Sequence, residues 1–256
     1  MSMALETGPL VLSIAIAVAA GLVGSFAVMR RMVLAADAMS HVALPGIGVA
    51  LALRINPLFG AVAMLFFGAL LIWALERKTR IGTETIIGVV FSAALAIGSL
   101  MSSGEDLIAA LFGGPGTLSA GEVAFVLAAV LVVVVVVLVN RSRLILALVS
   151  PEIARTSGIN VARLDLLFLE TFALTVALGL RYVGVLLMGS LIIIPAATAK
   201  RLARSFTGML AIAVVVAVLS TVVGSYAAVL LRRPTGPMII SAAAVLFVLS
   251  LVRRPA

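Results

Sequence analysis

Residues 9–29 have the sequence PLVLSIAIAVAAGLVGSFAVM, an apolar run without a charged residue. A helix needs about 20 such residues to cross the hydrocarbon core of a bilayer. Similar runs recur along the chain, which has 64% hydrophobic and 11% charged residues and a mean hydropathy of +1.33. The sequence therefore predicts an all-α protein, a polytopic helical membrane bundle that forms one domain over residues 1–256.

The apolar runs and the breakers between them predict about nine transmembrane helices. Their approximate ranges are 9–29, 35–53, 57–75, 82–101, 121–140, 163–180, 183–199, 206–231 and 237–252. The apolar piece 107–112 is too short to cross, so we expect an outer half-helix there, surrounded by protein or a water-filled cavity. Asn56-Pro57 and Pro234-Thr235-Gly236-Pro237 predict tight outer turns.

The basic residues lie in short clusters between the apolar runs, which is typical of a membrane protein and not of a nucleic-acid-binding protein, despite a net charge of +8. When the predicted spans cross the membrane in alternating directions, 14 of the 18 basic residues lie on one side, which is therefore predicted to be cytoplasmic. The N-terminus is then outside and the C-terminus cytoplasmic. No cysteine is present, which excludes disulfides and thiolate metal sites.

An acid and the only histidine of the chain stand four residues apart inside the second predicted span, as Asp37 and His41. On a helix this spacing puts both side chains on one face. A carboxylate and an imidazole can together bind a divalent metal ion. Two structural alternatives stay open: Asp37 as an acid near the start of a helix, and His41 as a hydrogen-bonding group in helix packing.

Three further features inside the predicted spans have a functional and a structural interpretation. Pro45-Gly46 and Pro195 predict bends, either hinges of a moving helix or static kinks. Glu170 lies about eight residues into a span and is a candidate for an additional pathway residue. It could equally bond to neighbouring hydroxyl groups.

The longest cytoplasmic segment contains Ser150-Pro151-Glu152, which has the order of a helix start: a capping serine, proline at the first position and an early acid. Gly158 is a natural helix stop. The segment 150–160 is therefore predicted to form a helix of about two turns, either a docking element or a solvated surface helix. No Gly-x-x-x-x-Gly-Lys-Ser/Thr phosphate loop is present, so the chain is not expected to hydrolyse ATP.

Several motifs resemble the metal-ion permeases of ATP-binding-cassette importers, and the resemblance covers nearly the whole chain. Glu152-x-Ala154-x-x-x-Gly158 is similar to their coupling helix, and Asp37-Ala38-Met39-Ser40-His41 to their second-helix signature. Further matching segments are 111–113, 182–187, 191–201 and 234–237. Ala36 replaces a glycine that is usual in the family, and Glu170 replaces an apolar residue. Within the family the zinc uptake permeases are the most similar, with manganese and iron permeases as alternatives.

The resemblance implies a permease subunit in a bacterial plasma membrane that imports a divalent metal ion. Asp37 and His41 would form the metal site, and Glu152, Ala154 and Gly158 would transmit the ATPase stroke. The implied partners are an ATPase subunit, an extracytoplasmic metal-binding protein and a second copy of the chain, and no permanently bound cofactor is implied. A stand-alone secondary transporter, with Asp37 and Glu170 as a proton relay, is the competing class.

Overall fold

The computed structural model describes residues 7–79, 81–101, 120–180 and 185–252, and every regular element in these ranges is a helix. The helices are α1 (Thr7–Met29), α2 (Val33–Val42), α3 (Leu44–Ala52), α4 (Pro57–Lys78), α5 (Thr83–Met101), α6 (Ala120–Val149), α7 (Pro151–Thr156), α8 (Val161–Leu180), α9 (Val185–Leu202), α10 (Phe206–Leu231) and α11 (Thr235–Val252). The prediction of a helical membrane bundle is confirmed.

Seven helical segments of the described chain are long and apolar enough to cross a membrane. They are α1, α2 together with α3, α4, α5, α6, α10 and α11. Helices α8 and α9 lie where the other two spans were predicted, but the count of nine is not confirmed. The predicted half-helix at 107–112 lies outside the described residues.

The structure corrects two predicted boundaries and divides one predicted span. The span predicted over 35–53 is present as residues 35–52 and is divided at Ala43 into two consecutive helices, although Ala43 itself keeps a helical backbone with φ of −67° and ψ of −25°. Helix α6 does not end at 140 but continues to Val149, because arginine is a good helix former and no breaker occurs before Pro151. Helix α11 already begins at Thr235, so Pro237 is inside its first turn, where its missing N–H is not needed.

Local capping explains where the other helices begin. The side chain of Asn56 accepts a hydrogen bond from the backbone N–H of Leu58 at the start of α4. Ser205 accepts from the N–H of Gly208 at the start of α10. Each cap satisfies one of the backbone donors that a helix start leaves without a partner.

The helices form two groups. Helices α1, α9, α10 and α11 pack on one another, and α2, α3, α4 and α5 form a second group. Helix α8 packs against α4 and α6, and α2 contacts α9 across the boundary between the groups. Helix α2, which carries the acid and the histidine, therefore lies at the junction of the two groups.

Small residues allow the helix backbones to approach closely, which is how helices associate where lipid removes the hydrophobic driving force. Gly46 of α3 and Gly60 of α4 are in mutual contact: a Cβ on either residue would overlap the carbonyl oxygen of the other. Gly98 of α5 similarly faces Leu44 and Pro45. The interruption at Ala43 is therefore enclosed by neighbouring helices.

We predict that Gly60→Ala destabilises the fold by about 1–3 kcal/mol, since the added methyl group must push α3 away from α4. Gly88→Ala in α5 is the matched control, because a Cβ at that position meets nothing within 4 Å. Thermal unfolding of the purified chain in detergent measures both variants. A Gly60→Ala variant as stable as the native chain would contradict the close contact.

Candidate functional site

Helix α2 places Asp37 and His41 one turn apart, so both side chains leave the same face of one helix. The helix follows a tight elbow, in which Arg31 adopts a left-handed backbone with φ of 60°. The elbow is closed by a hydrogen bond from the N–H of Met32 to the carbonyl of Ala27. The start of α2 is thus fixed to the end of α1.

The side chain of Asp37 is exposed on the surface of the single chain. Its backbone is covered by α9, because a Cβ on Gly189 would lie 3.0 Å from the nitrogen and 3.1 Å from the Cα of Asp37. Within the described residues its carboxylate has no ion-pair partner. Asp37 therefore combines a tightly packed backbone with an exposed carboxylate.

His41 is half-buried and lies edge-on to Phe91 of α5, with 5.4 Å between the ring centroids. Its Nδ1 atom is buried without a hydrogen-bond partner in the described structure, although the residue as a whole is partly exposed. An unpaired buried nitrogen costs about 1–3 kcal/mol. Phe91 thus limits how the ring can turn, and a neutral imidazole nitrogen is a good ligand for a transition metal.

The pair does not form a complete metal site by itself. In the part of the chain that the structure describes, no three His, Cys, Asp or Glu residues lie close enough to bind one ion. A structural zinc site has four protein ligands. Two ligands, one carboxylate and one imidazole, instead suit an ion that must bind and leave again.

Glu170 lies on α8 and is not a third ligand of a described cluster. It is half-buried, and its Oε2 atom is buried with no hydrogen-bond partner among the described residues. Helix α8 contacts α2. At a rise of 1.5 Å per residue, His41 is about 12 Å and Glu170 about 14 Å from the first residue of its helix. Both groups therefore lie at a similar depth if the two helices start on the same side.

The two predicted bends have different structures. Pro45 lies in the first turn of α3, directly after the interruption at Ala43, and Gly46 contacts Gly60. Pro195 lies inside α9, which continues as a helix to Leu202. The hydroxyl of Thr198 donates to the carbonyl of Ile194 beside this proline. The first proline thus marks a helix break, while the second leaves its helix uninterrupted.

The short helix predicted within residues 150–160 is present as α7. The side chain of Ser150 accepts from the N–H of Ile153, and Gly158 has a φ of 81°, so the predicted start and stop are confirmed. The N–H of Ile159 closes the end by donating to the carbonyl of Ala154, which is fully buried. Glu152 is exposed. Helix α7 is anchored on α6 and α8 and presents its acid outward.

One ion pair near α7 was not predicted from the sequence. Arg30 Nη1 lies 2.8 Å from Asp165 Oδ1, and the guanidinium lies 4.5 Å from the centre of the Phe168 ring. The only sign of this pair in the sequence is that Arg30 follows the end of one predicted span and Asp165 lies at the start of another that begins on the same predicted side. The pair ties the end of α1 to the helix that follows α7.

Comparison with known proteins gives a family and several relatives. The family model described as "ABC 3 transport family" matches residues 5–254. The high-affinity zinc uptake system membrane protein ZnuB of Haemophilus influenzae is 32% identical over 236 residues, or 90% of each chain. The manganese transport system membrane protein MntC of Listeria monocytogenes is 28% identical over 250 residues, or 96% of this chain and 89% of the relative.

A solved structure described as "PsaBC from Streptococcus pneumoniae in complex with Fab" has the same fold. It superposes with a TM-score of 0.84 at 25% identity and covers 97% of this chain and 91% of that chain. The helical arrangement described above is therefore shared over almost the full length.

Proposed function

The chain belongs to the ABC 3 transport family, and from that premise we propose that it is the membrane-spanning permease subunit of an ATP-driven importer for a divalent transition-metal ion. The observation that carries this proposal is the exposed Asp37 with the accessible imidazole of His41 on one face of an apolar helix. Ionisable groups at membrane depth are costly and are typical of a substrate path. Family membership disfavours the stand-alone secondary transporter.

Zinc is our proposed cargo, with manganese and iron as the alternatives. Imidazole is a preferred zinc ligand and carboxylate binds both zinc and manganese, so the pair alone does not separate the metals. The relative named for zinc shares 32% identity with this chain, and the one named for manganese 28%. This difference favours zinc.

The chain would bind the ion transiently and leave the energy conversion to other subunits. Asp37 would supply charge and His41 a nitrogen ligand while part of the hydration shell is removed. A separate ATPase subunit would act on α7, and an extracytoplasmic binding protein would deliver the ion. Helix α7 connects through α8 and the Arg30–Asp165 pair to the elbow before α2, which is a short physical route from the docking segment to the proposed site.

We predict that Asp37→Ala and His41→Ala each lower metal uptake at least about tenfold. Loss of a residue that only supports a metal ligand already has an effect of this size, and loss of the ligand itself should have a larger one. The measurement is the metal content of cells that lack their own permease, grown with limiting zinc or limiting manganese. Ser40→Ala is the control, because this buried hydroxyl on the same helix donates to the carbonyl of Ala36 and has no other hydrogen bond within the described part of the chain.

Restoration of manganese instead of zinc would keep the importer and change its cargo. Zinc uptake by both variants at the native level would show that the pair serves packing.

We further propose that Glu170 borders the path at the depth of His41, so Glu170→Leu in the same assay should lower uptake several-fold. Native uptake by that variant would leave Glu170 without a part in transport.

Because one chain supplies two ligands, we also propose that a second copy supplies another Asp37–His41 pair across a two-fold axis. The chain has no cysteine, so an Asp37→Cys variant can form a covalent dimer only between two copies. A short bismaleimide should cross-link this variant in native membranes. Val139→Cys on α6, where the native side chain is 73% exposed, is the control and measures cross-linking by random collision. Equal dimer yield from both variants would reject the shared site.

The docking role of α7 predicts that Gly158→Trp lowers ATP-driven uptake at least about tenfold. A Cβ at this position meets nothing within 4 Å in the chain itself, so a loss beyond that caused by backbone strain would come from the partner. Gly158→Asn is the control for backbone strain, because asparagine tolerates a positive φ. Uptake into proteoliposomes that contain the ATPase measures both. Native uptake by the tryptophan variant would show that the ATPase docks elsewhere.

A further inference from the structure

A cavity of about 380 Å³ lies at the end of the bundle that carries the basic clusters. Its walls come from the elbow at residues 29–32, the end of α4, the start of α5, the end of α6, helix α7 and the start of α8. We call it the elbow cavity. It is separate from the Asp37–His41 pair, which does not line it, and its size is within the range of small-ligand pockets.

The charged lining of the elbow cavity consists of three arginines and two acids. Both acids are already engaged. Asp165 is paired with Arg30 at 2.8 Å, and Glu76 accepts a hydrogen bond from the hydroxyl of Thr83. The remaining arginines, Arg31 and Arg155, are exposed and have no ion-pair partner in the described ranges. The lining therefore carries a net charge of +1, and Arg31 and Arg155 are its two arginines without an ion-pair partner among the described residues.

The position of Arg31 is fixed by the fold. Its backbone is left-handed, a conformation that costs about 1–2 kcal/mol for a residue other than glycine. The hydrogen bond from Met32 to Ala27 holds the elbow in this shape. Arg155 comes from the last turn of α7, a different element. Arg31 and Arg155 thus line the same cavity through tertiary structure and not through sequence spacing.

The rest of the lining includes an apolar wall made by Met29, Met32, Leu148 and Leu169. A free inorganic anion makes no favourable apolar contact with such a wall. A phosphate group attached to a glycerol and acyl chains can make such contact. Basic pockets between helices on the cytoplasmic side of membrane proteins bind the headgroups of anionic lipids. The guanidinium group is well suited to phosphate, since it donates two parallel hydrogen bonds.

We propose that the elbow cavity is a binding site for a phosphate group, held by Arg31 and Arg155, and that a phospholipid headgroup of the adjacent leaflet supplies this group. Free phosphate is the other source of the same chemistry. An acidic segment of the ATPase partner, which would approach the same arginines beside α7, is the rival interpretation.

The test uses the full chain purified in detergent and stripped of lipid. Native mass spectrometry counts bound phosphatidylglycerol and, separately, phosphatidylcholine at increasing lipid concentration. The cavity variant is Arg31→Gln with Arg155→Gln. The control is Arg54→Gln with Arg232→Gln, which removes the same charge from two exposed arginines that do not line the cavity and that have, like Arg31, a positive φ. A second arm measures the thermal stability of each protein with inorganic phosphate.

We expect the cavity variant to bind phosphatidylglycerol at least about tenfold more weakly than the native chain and the control, with little change for phosphatidylcholine. A stabilising effect of inorganic phosphate on native and control proteins alone would keep the site and assign it to free phosphate. Equal phosphatidylglycerol binding by all three proteins without a phosphate effect would overturn the proposal. The proposal would also be overturned if the cavity variant bound phosphatidylglycerol like the native chain but no longer co-purified with the ATPase subunit.

If the double variant does not fold, Arg155→Gln alone is measured, because this residue is exposed on α7 and its loss disturbs no described contact. The expected loss of lipid binding is then about fivefold. These measurements need neither transport nor metal, so their failure and the failure of the proposed import function are distinguishable.

Discussion

Hydrocarbon offers no hydrogen-bond partner to a peptide group, so a chain with 64% hydrophobic residues must satisfy its N–H and C=O groups within its own helices. This constraint sets the architecture. The helices then associate through small residues, as at Gly46 and Gly60 or where Gly24 of α1 contacts the backbone of Ile192 in α9. Among the described residues, one break falls inside a membrane span, at Ala43, two residues after His41. Other breaks connect consecutive helices: the elbow at Arg31 leads into α2, and the breaks at the two ends of α7 flank the segment proposed to receive the ATPase.

Local rules predicted much of the fold. Helix starts at Asn56 and Ser150 and the stop at Gly158 depend on residues a few positions away, so the sequence alone identifies them. The predicted end of α6 at 140 was wrong because Arg141 and Arg143 end the apolar run but not the helix. Charge ends a membrane span but does not end a helix, and α6 simply continues beyond the apolar region.

Contacts between helices could not be predicted in the same way. Whether Asp37 is exposed and Nδ1 of His41 buried depends on how α2 is rotated about its axis, and this rotation is decided by α5 and α9. The contact of Gly189 with the backbone of Asp37 joins positions 152 residues apart. Spacing along α2 correctly placed the two side chains on one face, but only the packed structure shows which part of each group remains accessible.

The contact between Gly46 and Gly60 has a mechanical consequence. Two helices whose backbones touch cannot rotate against each other without first moving apart, and each step of separation gives up van der Waals contact along the whole crossing. We therefore expect α3 and α4 to move as one unit, and Gly68 of α4 packs on Val42 at the end of α2. A displacement of α3 and α4 would therefore also shift Val42, the residue that follows His41.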